Sequence, residues 1–211
     1  MPVMDFNDPV VRERFWHTAS HVLAQAVTEL FPEAKLAIGP AIAAGFYYDF
    51  DVHFTFTPDN LAQIEERMAQ IVAKDLPLVQ EEWPRDKALA FFAHQGATYK
   101  VELIEGLPAT EQISVFRQGD FTDLCKGPHL ASTGAIAAFK LLNVAGAYWR
   151  GDEKRQMLQR IYGTAFPDAA LLAAELARLE EAHARDHRKL GHDLDLFSFH
   201  DEIGAGLALW H

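Results

Sequence analysis

The chain has 211 residues, 49% of them apolar and 23% charged, with a formal net charge of −11. That balance is ordinary for a globular protein with room for one large domain or two small ones. No apolar run approaches the roughly 20 residues of a membrane-spanning helix, and the acidic, proline-containing start MPVMDFNDPVVRERF is no secretory leader. A single cysteine, Cys125, excludes an internal disulfide and fits a cytoplasmic setting. The surplus of acid argues against nucleic-acid binding by the body as a whole, because phosphate contacts use Lys and Arg. One local exception is Arg150, Lys154, Arg155 and Arg160, four cations within eleven residues. Composition alone favours a solvated surface for them.

Asn7-Asp8-Pro9 predicts a helix start, with a capping side chain followed by proline in the first turn. The helix is expected to run to about Leu30, with Phe15, Ala19, Val22, Leu23, Ala26 and Leu30 as its apolar stripe. Short apolar runs at Leu36–Ile38 and Phe46–Phe50, separated by Gly39-Pro40 and Gly45, predict strands. Thr57-Pro58-Asp59 opens a second helix over Leu61–Lys74. Val79–Trp83 reads as a strand and Asp86–His94 as a short helix, so residues 58–96 form a helix–strand–helix subregion. Further strands are expected at Tyr99–Leu103, Ile113–Gln118 and Phe139–Val144. A last helix runs from Asp168 to about Leu190, closed by Gly191, and Phe197–His211 trails off as an apolar, glycine-containing stretch. No internal repeat or low-complexity linker is present. The mix reads as α+β: short antiparallel sheets flanked by helices, one of them long and N-terminal, with a connecting helix near the C-terminus.

Two short patterns carry chemistry. His17-Thr-Ala-Ser-His21 puts two imidazoles at i and i+4 on one helix face. The apolar stripe is centred nearly opposite them, so neither is expected to be a core histidine, and Ala24 and Thr28 beside them are small. Cys125-Lys-Gly-Pro-His129 contains Gly127 and Pro128, which exclude a regular helix and predict a tight loop presenting a thiol and an imidazole. A histidine pair alone is weak, because most such pairs are solvated. Together the four side chains have two physical readings. One is a tetrahedral zinc site of imidazoles and a thiolate. The other is a metal-free hydrolytic pocket in which imidazoles position water and move protons near neutral pH. A lone thiol beside a histidine is also a candidate nucleophile. Spacing does not choose among them.

The runs HTASHVLAQAV (17–27), AIGPAIAAGFYYDFD (37–51), TDLCKGPHL (122–130), AYWRGDEKRQMLQRIYGTAF (147–166) and RDHRKLGHDLDLF (185–197) resemble, in order and over nearly the whole chain, bacterial threonyl-tRNA synthetases. In that family the matching region is the second N-terminal domain, which edits mischarged tRNA. It is related to the editing domain of alanyl-tRNA synthetases and to free-standing alanyl-tRNA deacylases, and the GFYYDFD and AYWRGD runs favour the threonine branch. The resemblance implies an editing domain over 1–166, then a linker helix and the start of a class II catalytic domain over 167–211. The preceding ubiquitin-like domain, the aminoacylation core and the anticodon-binding domain are expected to belong to the rest of the synthetase. This stretch alone is therefore expected not to aminoacylate.

Carried over by motif, His17 and His21 match the paired editing histidines, and Cys125 and His129 the Cys-x3-His. Asp123 matches an acid that binds the α-amino group of the misattached amino acid. Tyr48 and Lys100 match pocket positions, beside plainer readings as a core aromatic and a strand-edge charge. The resemblance implies hydrolysis of seryl-tRNA(Thr) by direct water attack, with no metal required; zinc at His17, His21, Cys125 and His129 is the alternative. It also implies tRNA contact through Arg150, Lys154, Arg155 and Arg160, and a homodimeric parent enzyme. A free-standing alanyl-tRNA deacylase and a non-catalytic zinc or tRNA-docking module are the competing functions.

Overall fold

A computed structural model describes residues 5–186, 190–191, 193–200, 204 and 207–211. The chain divides into two units, Met1–Ala169 and Ala170–His211.

The first unit is built on α1, Pro9–Leu30. Asp8 caps it, accepting from the Val10 amide at 2.9 Å, and Pro9 opens the first turn. Its sequence stripe suggests one buried face, yet Phe15, Trp16 and every residue from Thr18 to Val27 are buried. Polar side chains make this possible by bonding outward. Trp16 Nε1 donates to the Ala165 carbonyl at 3.0 Å, and Ser20 Oγ to the Gly39 carbonyl at 2.6 Å.

One face of α1 packs on an antiparallel sheet ordered β1-β3-β8-β7, with β2 also paired to β3. These strands are β1 Lys35–Leu36, β2 Ala41–Ile42, β3 Gly45–Asp51, β7 Ala138–Tyr148 and β8 Met157–Phe166. β3 and β8 register Tyr48 opposite Ile161. Its run of near-continuous burial marks β3 as an inner strand covered on both faces. α2, Pro58–Ala73, packs beside α1 behind a capping box from Thr57 and Asn60. Phe15, Leu23, Phe46, Phe50, Ile64, Met68 and Ile161 fill the core between these layers. Each is worth about 1.5–3 kcal/mol of transfer free energy.

A smaller lobe adds β4 Leu78–Trp83, α3 Arg85–His94, α4 Thr98–Glu105, β5 Ile113–Gln118 and β6 Phe121–Leu124. Its strands form a separate sheet ordered β4-β5-β6, over a second core of Ala88, Phe92, Ile104, Ile113 and Val115. Here the sequence reading needs correction. Tyr99–Leu103 is not a strand but the body of α4. Alternating Tyr, Val and Leu suggest a strand, but α4 packs Tyr99 with Leu103 in one cluster and Val101 with Ile104 in another, at spacings of four and three that are helical rather than alternate. β8 carries no strand expectation of its own, because its residues were legible only as a motif.

The second unit contains α5, Ala169–Ala184, none of whose residues is buried. Its expected continuation to Leu190 crosses residues 187–189, which lie outside the described residues, as does part of the 185–197 run. The trailing apolar stretch forms a hairpin of β9, Phe197–Phe199, and β10, Ala208–Trp210. No helix of the described residues is long and apolar enough to cross a membrane.

Candidate active site

Seven side chains from five parts of the first unit meet beside α1. His17 and His21 come from α1, Tyr48 from β3, Lys100 from α4, Asp123 from β6, and Cys125 and His129 from the loop after β6. The glycines in these motifs serve close approach. A side chain at Gly39 would overlap the Tyr48 ring. Gly127 has φ +72°, and a Cβ there would sit 3.0 Å from Phe116.

One end of the cluster is a thiol between two imidazoles. Cys125 Sγ lies 3.2 Å from His17 Nε2 and 3.2 Å from His129 Nε2, and accepts from the Gly127 amide. The His17 and His129 rings are 4.1 Å apart by centroid, and His21 is 4.4 Å from His129. Thr18 fixes the tautomer of His129. Its hydroxyl has one proton, given to the Arg14 carbonyl at 2.7 Å, and accepts from the Leu130 amide at 2.9 Å. At 3.2 Å from Thr18 Oγ1, His129 Nδ1 is therefore the donor, and its Nε2 turns a lone pair toward the sulfur.

The other end is an ion pair with a phenol. Lys100 Nζ lies 2.5 Å from Asp123 Oδ1 and donates to Tyr48 Oη at 2.9 Å. Tyr48 Oη donates to Asp123 Oδ2 at 2.6 Å, and the Leu124 amide donates to Oδ1 at 2.8 Å. His21 Nε2 stands 3.8 Å from Oδ2, linking the two ends. A carboxylate offers about four lone-pair positions. Three are filled here, and the fourth is open at Oδ2.

Burial sets the protonation states. It lowers the affinity of His17 and His129 for protons and depresses that of His21 strongly, so all three imidazoles are neutral near pH 7. Burial also pushes the Cys125 thiol up to about 12, which leaves it protonated. A buried, protonated thiol is a poor nucleophile. Tyr48 is held well above the ordinary phenol value, by burial first and then by Asp123.

The four donors His17, His21, Cys125 and His129 place their ligand atoms within 4.8 Å of one another. Three imidazoles and one thiol are zinc's preferred chemistry, and tetrahedral zinc separates its donors by roughly 3.3–3.7 Å. The residues therefore fit a zinc ion, which would also turn the thiol into a thiolate.

A cavity of about 650 Å³ opens beside the cluster, walled by Gln25, Thr28, Phe121, Lys100 and Asp123 among others. His17, Cys125 and His129 are not part of its wall, so it reaches the ammonium–carboxylate end. Thr28, one of the small residues beside the histidines, does line it.

The comparisons with known proteins agree with one another. Residues 113–162 match the model of the threonyl and alanyl tRNA synthetase second additional domain. Over that stretch, which holds Asp123, Cys125 and His129, the chain is similar to that family. It is 59% identical over 205 residues to a threonine–tRNA ligase of Citrifermentans bemidjiense, covering 97% of this chain and 32% of the relative. A threonine–tRNA ligase of Clostridium tetani is 58% identical over 211 residues, covering 100% and 33%. That of Pelobacter propionicus is 60% identical over 195 residues, covering 92% and 30%. The chain thus spans about a third of the length of the curated relatives it matches.

Several sequence expectations change in the structure. His21 was expected off the core, but it is 3% exposed, because Asp123 and His129 close over the face opposite the apolar stripe. Lys100 is no strand-edge charge; it is 3% exposed on α4. Tyr48 is both a core aromatic and a member of the cluster. Three of the four cations in the basic stretch have acidic partners. Arg155 clamps Glu102 through two bonds of 2.9 and 2.7 Å, Arg150 lies 3.4 Å from the same carboxylate, and Arg160 pairs with Asp49 at 2.7 and 2.9 Å. Lys154 is exposed. Sequence reasoning missed Thr18, although it sits inside the His17–His21 motif. Its role exists only once the Cys–His loop folds back on α1.

Proposed function

We propose that this chain edits mischarged threonine tRNA, hydrolysing the ester of seryl-tRNA(Thr) by direct attack of water. The observation that carries the reading is the convergence of neutral imidazoles with a buried Lys100–Asp123–Tyr48 group, of which Lys100 and Asp123 line a cavity. Ester hydrolysis needs a placed water, a proton acceptor and a cation or donor for the tetrahedral oxyanion.

His17 and His21 orient the terminal ribose and the water. Water adds to the ester carbonyl, its proton leaves through an imidazole, and the ribose oxygen departs with a proton. Lys100 stabilises the charge that develops on the carbonyl oxygen. The open position on Asp123 Oδ2 takes the serine ammonium, while Tyr48 and Lys100 hold the carboxylate still. Cys125 and His129 close the side-chain pocket. Cys125 acts as a wall rather than a nucleophile, which its protonated state supports. Zinc held by all four of His17, His21, Cys125 and His129 would be a closed structural site, and it would supply a polarised water only if one of these donors were released.

The need for such a site is energetic. Serine and threonine differ by one methyl, whose recognition is worth about 1–3 kcal/mol, or roughly 10–200-fold. Within a synthetase, residues 1–166 would serve as the editing domain and 167–211 as the linker and start of the catalytic domain. tRNA(Thr), the rest of the enzyme and a second copy in a homodimer would be the partners. Incubation of the chain with seryl-tRNA(Thr) tests the reading: serine release is expected, and its absence overturns hydrolysis. The four nitrogen and sulfur donors favour a second reading, a zinc-bound docking module. Equimolar zinc without serine release would select it.

A further inference from the structure

Lys100 meets Asp123 and Tyr48 only if α4 keeps one height and one rotation. α4 has little stability of its own. It spans eight residues, about two turns, and no side chain caps its N-terminus. Its place is set by tertiary contacts, and on the outer side these converge on one carboxylate.

Glu102 lies two residues after Lys100, roughly 200° around the helix. It accepts from Arg155 Nη1 at 2.9 Å, Arg155 Nη2 at 2.7 Å and Trp149 Nε1 at 3.1 Å. Arg150 Nε stands 3.4 Å away. Trp149 is 2% exposed and packs edge-on against Tyr99, the residue before Lys100, at 4.9 Å. Tyr99 in turn donates to Asp51 at 2.9 Å. The turn that presents these donors is unusual. Arg150 has a left-handed backbone, φ +55°, followed by Gly151 at +72°. That conformation is uncommon for a residue with a side chain. No step of the proposed hydrolysis uses Glu102, yet four donors are arranged around it.

We propose that Glu102 is a positioning residue. Clamped by Trp149 and Arg155, it sets α4 and thereby the place of the Lys100 ammonium against Asp123 and Tyr48. The proposal rests on the reading of Lys100 as a working member of the site. It also gives the AYWRGDEKR stretch a role in the pocket in addition to any contact with RNA.

The test compares Glu102→Gln with Glu65→Gln. Glu65 is a control of similar kind on α2, holding Lys140 Nζ at 2.8 Å and the Leu141 amide at 2.7 Å. Two quantities are read: the kinetics of serine release, and the ammonium signal of Lys100 in ¹⁵N NMR, assigned by its loss in Lys100→Arg. Glu102→Gln is expected to lower kcat by about ten- to a hundredfold, the scale of a slightly misplaced group, with little change in KM. It is also expected to move or broaden the Lys100 signal, and Glu102→Asp to restore part of both. Glu65→Gln is expected to lower the melting temperature and leave kcat and the signal unchanged. An unchanged Lys100 signal in Glu102→Gln overturns the proposal, and so does an equal kcat loss in Glu65→Gln. If the parent chain releases no serine, the hydrolytic reading falls by itself, and the ammonium signal alone decides whether Glu102 positions Lys100.

Discussion

Two ion pairs leave α4 in opposite directions, and they differ in almost everything but charge. Lys100–Asp123 has side chains 3% and 2% exposed; Arg155–Glu102 has side chains 35% and 34% exposed. The exposed pair sits in screening solvent, where such pairs contribute little to stability. The buried pair carries a desolvation cost that its mutual attraction only partly offsets, and apolar residues of like volume often do as well or better. A pair kept where it is thermodynamically unnecessary points to use. The contrast suggests that α4 is held from outside by a cheap clamp and carries a costly functional charge inside.

The largest effect is therefore expected from breaking the inner pair alone. Asp123→Asn leaves the Lys100 ammonium buried without its counter-charge. Urea unfolding is expected to show a loss of about 3–5 kcal/mol, together with loss of serine release. The double variant Lys100→Met with Asp123→Leu is expected to recover most of that stability and none of the activity. A double variant that stays as unstable as the single one would show that the pair is structural.

A second expectation uses the imidazoles packed against that pair. Burial holds the folded-state pKa of His17, His21 and His129 below the ordinary 6.5. The unfolded chain then binds more protons as pH falls through 6.5, so this stability is present above that value and is lost below it. The slope is up to about 1.4 kcal/mol per pH unit for each such histidine. Urea midpoints measured from pH 7.5 down to 5.5 should fall, and His21→Gln should flatten the decline. A flat profile for the parent chain would mean that these rings are solvated.

Selectivity comes next in size. Serine and threonine share a hydroxyl, so a hydrogen bond to it cannot separate them. The wall must clash with the extra methyl, and overfilling a tight site costs about 1–3 kcal/mol. Seryl-tRNA is therefore expected to be hydrolysed at least roughly tenfold faster than threonyl-tRNA. Equal rates would mean that the Cys125–His129 loop is no sieve.

How much of this was readable beforehand depends on range. Local signals placed α1, α2, β3 and β5 closely, because Asp8-Pro9, Thr57-Pro58-Asp59 and short apolar runs act within a few residues. The site residues were legible as motifs, and the resemblance added Tyr48, Lys100 and Asp123. What failed was everything set by distant chain. His21 looked solvent-facing because helical periodicity sees one helix, and it cannot see β6 and its loop closing over the other side. The 99–103 segment looked like a strand because Tyr, Val and Leu favour strands wherever packing does not decide otherwise. The arginines of 150–160 looked like one patch because sequence does not show Glu102 and Asp49 facing them.

That last point bears on the smallest expected effect, which concerns the outer face of α4. Of the four cations once grouped together, Arg155 and Arg160 are each bound through two nitrogens to an acid. Arg150 makes one longer contact, with a side chain 46% exposed, and Lys154 is exposed. These two are the ones free enough to meet a phosphate. Arg150→Ala with Lys154→Ala is expected to weaken tRNA binding modestly and to reduce the slope of log affinity against log salt by about one to two. The melting temperature and the rate of serine release at saturating tRNA should not change. The same measurement on Arg160→Ala should instead show lost stability, because Asp49, 3% exposed, would be left without its partner. If the paired substitution leaves both affinity and salt slope untouched, the exposed face of this turn is solvated surface and RNA is held elsewhere. If it lowers the hydrolytic rate as well, Arg150 belongs with Arg155 in the clamp on Glu102, and the division between an outer and an inner side of α4 is drawn in the wrong place.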